Sequence, residues 1–297
     1  VTVFDTGEFK EAGGVQIGLT AVIVAVTDSE PRILVVRRVD HALASTEEGV
    51  ARQGEDLSED TLEALPYGPF YPERHRTLDM GLRTWVEEQT QLDLGYVEQL
   101  YTFGDRGRDP REQENGARIL SIGYLALVQE EKPAGAGEGL WQNWYHYFPW
   151  EDLRGGKPAI LSEEIDPCLK AWAEEGENTQ EVHERSSRIE ATFGSEDVRW
   201  NEDRVLERYE LLYEAGWVSE ASRDHEVLAM QSSFSHTMVL DHRRILATAM
   251  GRLRGKLKYR PVVFELVPAT FTLFELQKTV EALSGNLLHK QNFRRLV

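Results

Sequence analysis

A chain of 297 residues, 41% of them hydrophobic, is long enough for two folded domains and ordinary in composition for a soluble protein. The single cysteine, Cys168, excludes an intrachain disulfide and points to a reducing cytoplasm, and no apolar run approaches the ~20 residues that span a membrane. The net charge of −18 argues against nucleic acid until its distribution is read, because residues 242–297 hold eleven Lys/Arg against three Asp/Glu. An acidic body with a basic end suggests a nucleic-acid-binding module. A basic helix docked on the chain's own acidic part is the alternative.

Two β-branched apolar runs, 21–26 and 33–36, flank Thr-Asp-Ser-Glu-Pro, which is a hairpin pattern. Residues 40–76 are polar and proline-containing, with a short helix expected near 56–65. Leu78, Leu82, Trp85 and Val86 recur at helical spacing, so residues 77–89 predict a helix with Thr77 as N-cap. Strands are expected at 97–103 and 119–128, and the aromatic segment WQNWYHYFPW (141–150) supplies another. Its rings suit a sheet core or a subunit interface, with stacking on a purine as the rival use. The glycines of KPAGAGEG (132–139) lack the Lys-Ser/Thr ending of a phosphate-binding loop and read as a hairpin tip.

Residues 163–226 carry 19 Asp/Glu against 7 Lys/Arg and predict two or three amphipathic helices. One covers 203–215, where Val205, Leu206, Tyr209, Leu212 and Tyr213 form an apolar face. No metal-ligand spacing occurs in this stretch. Residues 237–258 predict a further helix, basic toward its C-terminal end as the helix dipole favours. A turn at Arg260-Pro261 and a short apolar strand, VVFELV (262–267), follow. Leu273, Leu276, Val280 and Leu283 then line one helix face, Ser-Gly-Asn makes a tight turn, and a basic helix begins near His289. That is a helix-turn-helix layout.

The stretch TLDMGLRTWVEEQTQLDLG (77–95) resembles the second half of the Nudix box, Gly-x5-Glu-x7-Arg-Glu-U-x-Glu-Glu-x-Gly-U, where U is a bulky aliphatic. In that box the acids share one helix face, hold Mg2+ and help to activate water. Two registers fit. The first keeps Val86 and Leu92 at the aliphatic positions and puts Thr84 and Trp85 at Arg-Glu, Glu88 and Gln89 at Glu-Glu, and Arg76 at the upstream Glu. The second keeps Arg83, Glu87 and Glu88, with Thr84 and His75 in place of acids. Either way the ligand set is broken, with too few carboxylates to hold Mg2+ beside a pyrophosphate. Taken alone, the stretch reads equally well as an amphipathic helix with exposed glutamates.

The segment YVEQLYTFGDRGRDPRE (96–112), with DHRRILATAMGRLRGKLKYRPVVFELVPATFTLFELQKTVEAL and KQNFRRLV at the C-terminal end, resembles the Nudix-related transcriptional regulators of NAD metabolism. The resemblance covers about residues 15–150 and 236–297. It implies an α+β fold: a Nudix α/β/α sandwich with a mixed sheet (1–160), an acidic helical insert or linker (161–235) and a winged helix-turn-helix (236–297) whose wing would follow residue 297. It also implies a homodimeric, cytoplasmic repressor of NAD-biosynthesis or salvage genes, bound to double-stranded operator DNA. The effector would be an NAD-related nucleotide (ADP-ribose, NAD or ATP) held by a catalytically inactive Nudix domain, with no cofactor required. Thr272, Gln277, His289, Lys290, Asn292, Arg294 and Arg295 would serve DNA. Arg106, Arg108 and Arg111, beside Asp105, would hold the effector's phosphates, and Phe103 or Phe70 its base. Pairing of those arginines with Asp105 and Asp109 is the alternative for each. The competing function is a weak Mg2+-dependent Nudix hydrolase of ADP-ribose or a related nucleoside diphosphate.

Overall fold

The computed structural model describes residues 14–39, 61–105, 118–130, 139–195, 197–223 and 234–296. Strand β1 (Val15–Thr27) is aliphatic and buried through its middle, as a central strand must be. It turns through Asp28 and Ser29, both at positive φ, into β2 (Glu30–Val39). A two-residue turn of that kind matches strand twist, and it pairs Val24 with Ile33 as the hairpin pattern predicts.

Five further strands complete a mixed sheet: β3 (Thr61–Ala64), β4 (Tyr67–Pro69), β5 (Tyr96–Phe103), β6 (Arg118–Leu127) and β7 (Gly139–Asn143). The order is β3-β2-β1-β6-β5, with β4 paired to β1 and β7 to β2. Strand β6 runs parallel to β1 and the other pairs are antiparallel. Residues 61–64 are strand where a helix was expected over 56–65. Pairing of Ala64 with Val36 and Glu63 with Arg37 supplies a non-local ladder that outweighs local helix propensity. The expected hairpin tip at 132–139 lies, but for Gly139, outside the described residues.

The period of two in β1 divides its side chains between two cores. Leu19, Ala21 and Ile23 meet Leu82 and Val86 of helix α1 (Leu78–Thr90). Val22 and Val24 join the core of the other face, together with Ile245, Leu246, Ala249, Met250 and Leu253 of a helix near the C-terminal end. The aromatic segment leaves the sheet after Asn143 and forms two tight 3-10 turns. Trp144, Tyr147, Phe148 and Trp150 are completely buried there, so these rings pack the core instead of offering a purine platform.

The acidic stretch forms helices α2 (Asp166–Glu174), α3 (Thr179–Phe193) and α4 (Val205–Glu214). Val205, Tyr209 and Leu212 bury in the second core, and Leu206 and Tyr213 pack against it half-buried. Helix α5 (His242–Leu257) covers the second face of the sheet, so the boundary expected at 236 falls just before a helix that packs on the sheet. Three of its arginines go inward. Arg243, Arg244 and Arg254 are buried and pair with Glu220, Glu210 and Glu151, which is the self-docking alternative realised for this helix.

Residues 261–266 form a 3-10 helix and not the expected strand. Pro261 at the first position favours a helical start, and that winding turns Val263 inward, with Val267 beyond it, onto Leu276 and Phe293 in a small separate core. Helices α6 (Leu273–Ser284) and α7 (Lys290–Leu296) follow. Leu276 and Leu283 are buried as predicted, whereas Leu273, at the first position of α6, is 47% exposed.

Candidate functional site

Helix α1 begins where predicted: the Thr77 hydroxyl accepts from the Met80 amide at 3.1 Å. Two side chains then bind the helix to β4. The Trp85 indole Nε1 donates to the Pro69 carbonyl at 2.7 Å, and Gln89 Nε2 donates to the Tyr67 carbonyl at 2.7 Å. A Cβ on Gly68 would stand 2.2 Å from the Trp85 ring, so only glycine lets helix and strand approach this closely. Gln91 adopts the left-handed conformation at φ 55, at the position the first register gives to the box's glycine. Val86 is completely buried and Leu92 nearly so, as the aliphatic positions of that register require.

The remaining acids of α1 point elsewhere. Glu87 and Glu88 are exposed, as is Arg76, while the Thr84 hydroxyl turns back to the Met80 carbonyl at 2.9 Å. Arg83 pairs with Asp79 and caps the carbonyls of Leu94 and Gly95. His75 is buried beside Trp85, its Nδ1 accepting from the Tyr71 amide. Among the described residues no three His, Cys, Asp or Glu side chains converge as a metal site. An indole and an amide committed to backbone partners do not make a donor set for Mg2+.

On the opposite face a cleft opens between the sheet and the start of α5. Gly18, Thr20, Phe103 and Ser121 line the sheet side, with Tyr67 at the rim and Asp241, His242 and Ile245 across from them. His242 is held in place as its Nδ1 accepts from the Leu65 amide at 3.1 Å and its ring meets Tyr67 edge-on at 4.8 Å. Leu240, also in the wall, stands at φ 51, a strained conformation for a residue with a side chain. The cavity volume is 20 Å³, the size of a water.

Phe103 thus lines the cleft, but Phe70 does not. Phe70 packs on His75 beside α1, on the other side of the sheet, so the structure separates the two rings proposed for base packing. Asp105 is exposed just beyond β5, and Arg106, Arg108 and Arg111 lie outside the described residues. Tyr67, Asp241 and His242 had no signal in the sequence, because they meet across more than 170 residues.

In the C-terminal unit α6 opens with a capping box: the Thr272 hydroxyl accepts from the Glu275 amide, and the Glu275 carboxylate from the Thr272 amide. Thr272 is therefore occupied as a cap. Gln277, expected among the residues serving DNA, is 8% exposed, and its Nε2 donates to Glu281 and to the Leu288 carbonyl. Its position faces the α6–α7 turn, so it braces that turn and does not reach outward. Phe293 is the buried anchor of α7. His289, Lys290, Asn292, Arg294 and Arg295 are all exposed around it. Among the described residues neither arginine has an acidic partner.

The family model described as the NrtR DNA-binding winged helix domain matches residues 263–297, which is the α6–α7 unit with the 3-10 turn before it. The C-terminal unit is similar to the NrtR winged helix. A curated relative, the ADPR responsive transcriptional repressor NtrR of Acinetobacter baylyi, is 34% identical over 74 residues. That match covers 25% of this chain and 30% of the relative, so it spans under a third of the relative's length. NrtR from Shewanella oneidensis has a similar fold, with a TM-score of 0.50 at 18% identity, covering 94% of this chain and 82% of that one. A MutT/nudix family protein from Enterococcus faecalis aligns with a TM-score of 0.54 at 16% identity, covering 98% and 83%. The fold is accordingly α+β: a Nudix-like sheet between helices, followed by an NrtR-type winged helix.

Proposed function

We propose that this chain is a DNA-binding transcriptional repressor of NAD-biosynthesis or salvage genes. Its Nudix domain would sense an NAD-related nucleotide, ADP-ribose foremost, without cutting it. The observation that carries the reading is the pairing of Trp85 and Gln89 with β4. Both stand where the first register expects metal-binding acids, and both are spent on the carbonyls of Pro69 and Tyr67. A helix that spends these two positions on backbone carbonyls supplies no acid there for a metal at the pyrophosphate.

The cleft beside Phe103, Tyr67 and His242 is the proposed effector site. DNA is assigned to the exposed face of α7, with His289, Lys290, Asn292, Arg294 and Arg295 facing the duplex. Because α5 packs on the sheet, we assign it to the sensor half and start the DNA-binding half near residue 261. A homodimer would present two copies of α7 to a pseudo-palindromic operator. The test is ADP-ribose titrated into the full chain with Mg2+, followed by calorimetry and then by chromatography of the nucleotide. Binding with ADP-ribose recovered intact supports the sensor; release of AMP at a rate abolished by Glu88→Ala would make the chain a hydrolase.

A further inference from the structure

Helices α6 and α7 are joined by residues 285–289, and side chains of α6 hold that joint. The Leu288 amide donates to Glu281 Oε1 at 3.0 Å, and the Leu288 carbonyl accepts from Gln277 Nε2 at 2.9 Å. Gln277 and Glu281 stand four residues apart on α6 and so share one face. Gln277 Nε2 also donates to Glu281 Oε1 at 2.8 Å, which ties the two side chains to each other. Glu281 is 3% exposed, and its second oxygen accepts from Lys278 Nζ at 2.8 Å. Burial pushes its carboxyl up, but Lys278, Gln277 and the Leu288 amide outweigh burial and hold it below the usual carboxylate range. It is therefore ionised near neutral pH and can only accept.

The main chain of the same residue closes the other end of the turn. The Glu281 carbonyl accepts from the Gly285 amide at 3.0 Å, and Gly285, at φ 72, is the left-handed cap of α6. Glu281 thus grips the turn at both ends. Directly after it the His289 carbonyl accepts from the Asn292 and Phe293 amides at 2.9 and 3.0 Å, and α7 begins.

Helix α7 has seven residues, well short of the ~12–15 at which a helix begins to hold by itself in water. Its direction is therefore set by what it is fastened to. The Phe293 ring and the half-buried Leu288 side chain pack on one small core, but apolar packing is not directional. The hydrogen bonds to both backbone groups of Leu288 supply the direction. We propose that Glu281 and Gln277 are positioning residues that aim α7, and that their clamp on Leu288 sets how well the chain tells its operator from other DNA. This rests on the DNA reading above. A shift of about 1 Å takes a donor out of range of a base edge. The attraction of an arginine for phosphate fades only over about 8–10 Å. A loosened α7 therefore loses specificity before it loses its grip on the backbone.

The test compares the full chain with Glu281→Ala and Glu281→Gln. Each is titrated, across a salt series, with a promoter duplex from upstream of NAD-biosynthesis genes and with a scrambled duplex of equal length. Glutamine keeps an acceptor for the Leu288 amide and for Gln277, whereas alanine keeps none. Glu281→Ala should lower the ratio of promoter to scrambled affinity by about 10-fold or more. Its slope of log K against log salt should match the parent's, because no phosphate contact is removed. Glu281→Gln should stay within about 3-fold of the parent's ratio. An unchanged ratio in Glu281→Ala, or an equal loss in Glu281→Gln, overturns the clamp. Should Glu281→Ala fail to fold, Gln277→Leu, which frees the Leu288 carbonyl and leaves its amide held, is judged by the same ratio and slope. A parent chain with no preference between the two duplexes would instead sink the DNA reading itself.

Discussion

The side-chain amide of Gln89 pairs with both backbone polar groups of Tyr67: Nε2 donates to the carbonyl at 2.7 Å, and Oε1 accepts from the amide at 3.3 Å. Only a group that is donor and acceptor at once can do this, so a carboxylate at this position would be out of place. Gln89→Glu sets an acceptor against the Tyr67 carbonyl and should cost about 1–3 kcal/mol. Protonation restores a donor, so the introduced carboxyl would have a raised folded pKa. Its favourable contribution is present at low pH and lost as pH rises. Urea unfolding at pH 5 and pH 8 checks this, and equal midpoints for variant and parent at pH 8 would contradict it.

Glu151 lies fully buried between Arg208, at 2.6 Å, and Arg254, at 2.6 Å. Burial alone would push its carboxyl up, but the two guanidinium groups reverse the effect and hold it below the usual carboxylate range. The stabilisation is present above the ordinary value of 4.5 and is lost as pH falls through the lower folded pKa. Glu151→Gln strands two buried cations and should cost about 3–5 kcal/mol. Thermal melts at pH 7 and pH 4 should show the parent losing its advantage over the variant in acid.

The ring of His146 stacks on that of His236, centroids 3.5 Å apart and planes 16° from parallel. Burial, and then His236, lower the His146 pKa below its ordinary 6.5, with Glu63 opposing. The unfolded chain therefore takes the proton first, so stability is complete above about pH 6.5 and declines as pH falls toward the folded pKa. His146→Phe keeps a ring in the stack and should shrink the difference in melting temperature between pH 7.5 and pH 5.5. An undiminished difference would assign the acid sensitivity to other groups.

Much of this architecture was legible where the determinants are local. The hairpin, α1 with its Thr77 cap, and the α6–α7 pair follow from periodicity, capping residues and turn chemistry over a few neighbouring positions. The failures are non-local. VVFELV reads as strand, but Pro261 precedes it and it buries against α6, so it winds as a 3-10 turn. Gln277 reads as an outward polar residue until Leu288, eleven residues on, folds back over it. The contacts of Glu151 with Arg208 and Arg254 span 57 and 103 residues and leave no pattern in the chain. Nor does the cleft, whose walls come from β1, β6 and α5 together.

Arg294 and Arg295 are exposed on α7, anchored by the buried Phe293. Replacing both by Ala should lower affinity for promoter DNA by about 10-fold or more and reduce the slope of log K against log salt by about 2. ADP-ribose affinity should stay unchanged. Unaltered DNA binding and salt slope would place the DNA face elsewhere.

The most direct test of the account is fluorescence anisotropy of labelled DNA from upstream of NAD-biosynthesis genes, titrated with the full chain at low salt, with and without ADP-ribose. The account predicts binding whose affinity shifts by about 5-fold or more when ADP-ribose is added, in either direction. Anisotropy that ignores the protein, or binding that ADP-ribose leaves unchanged, would contradict it.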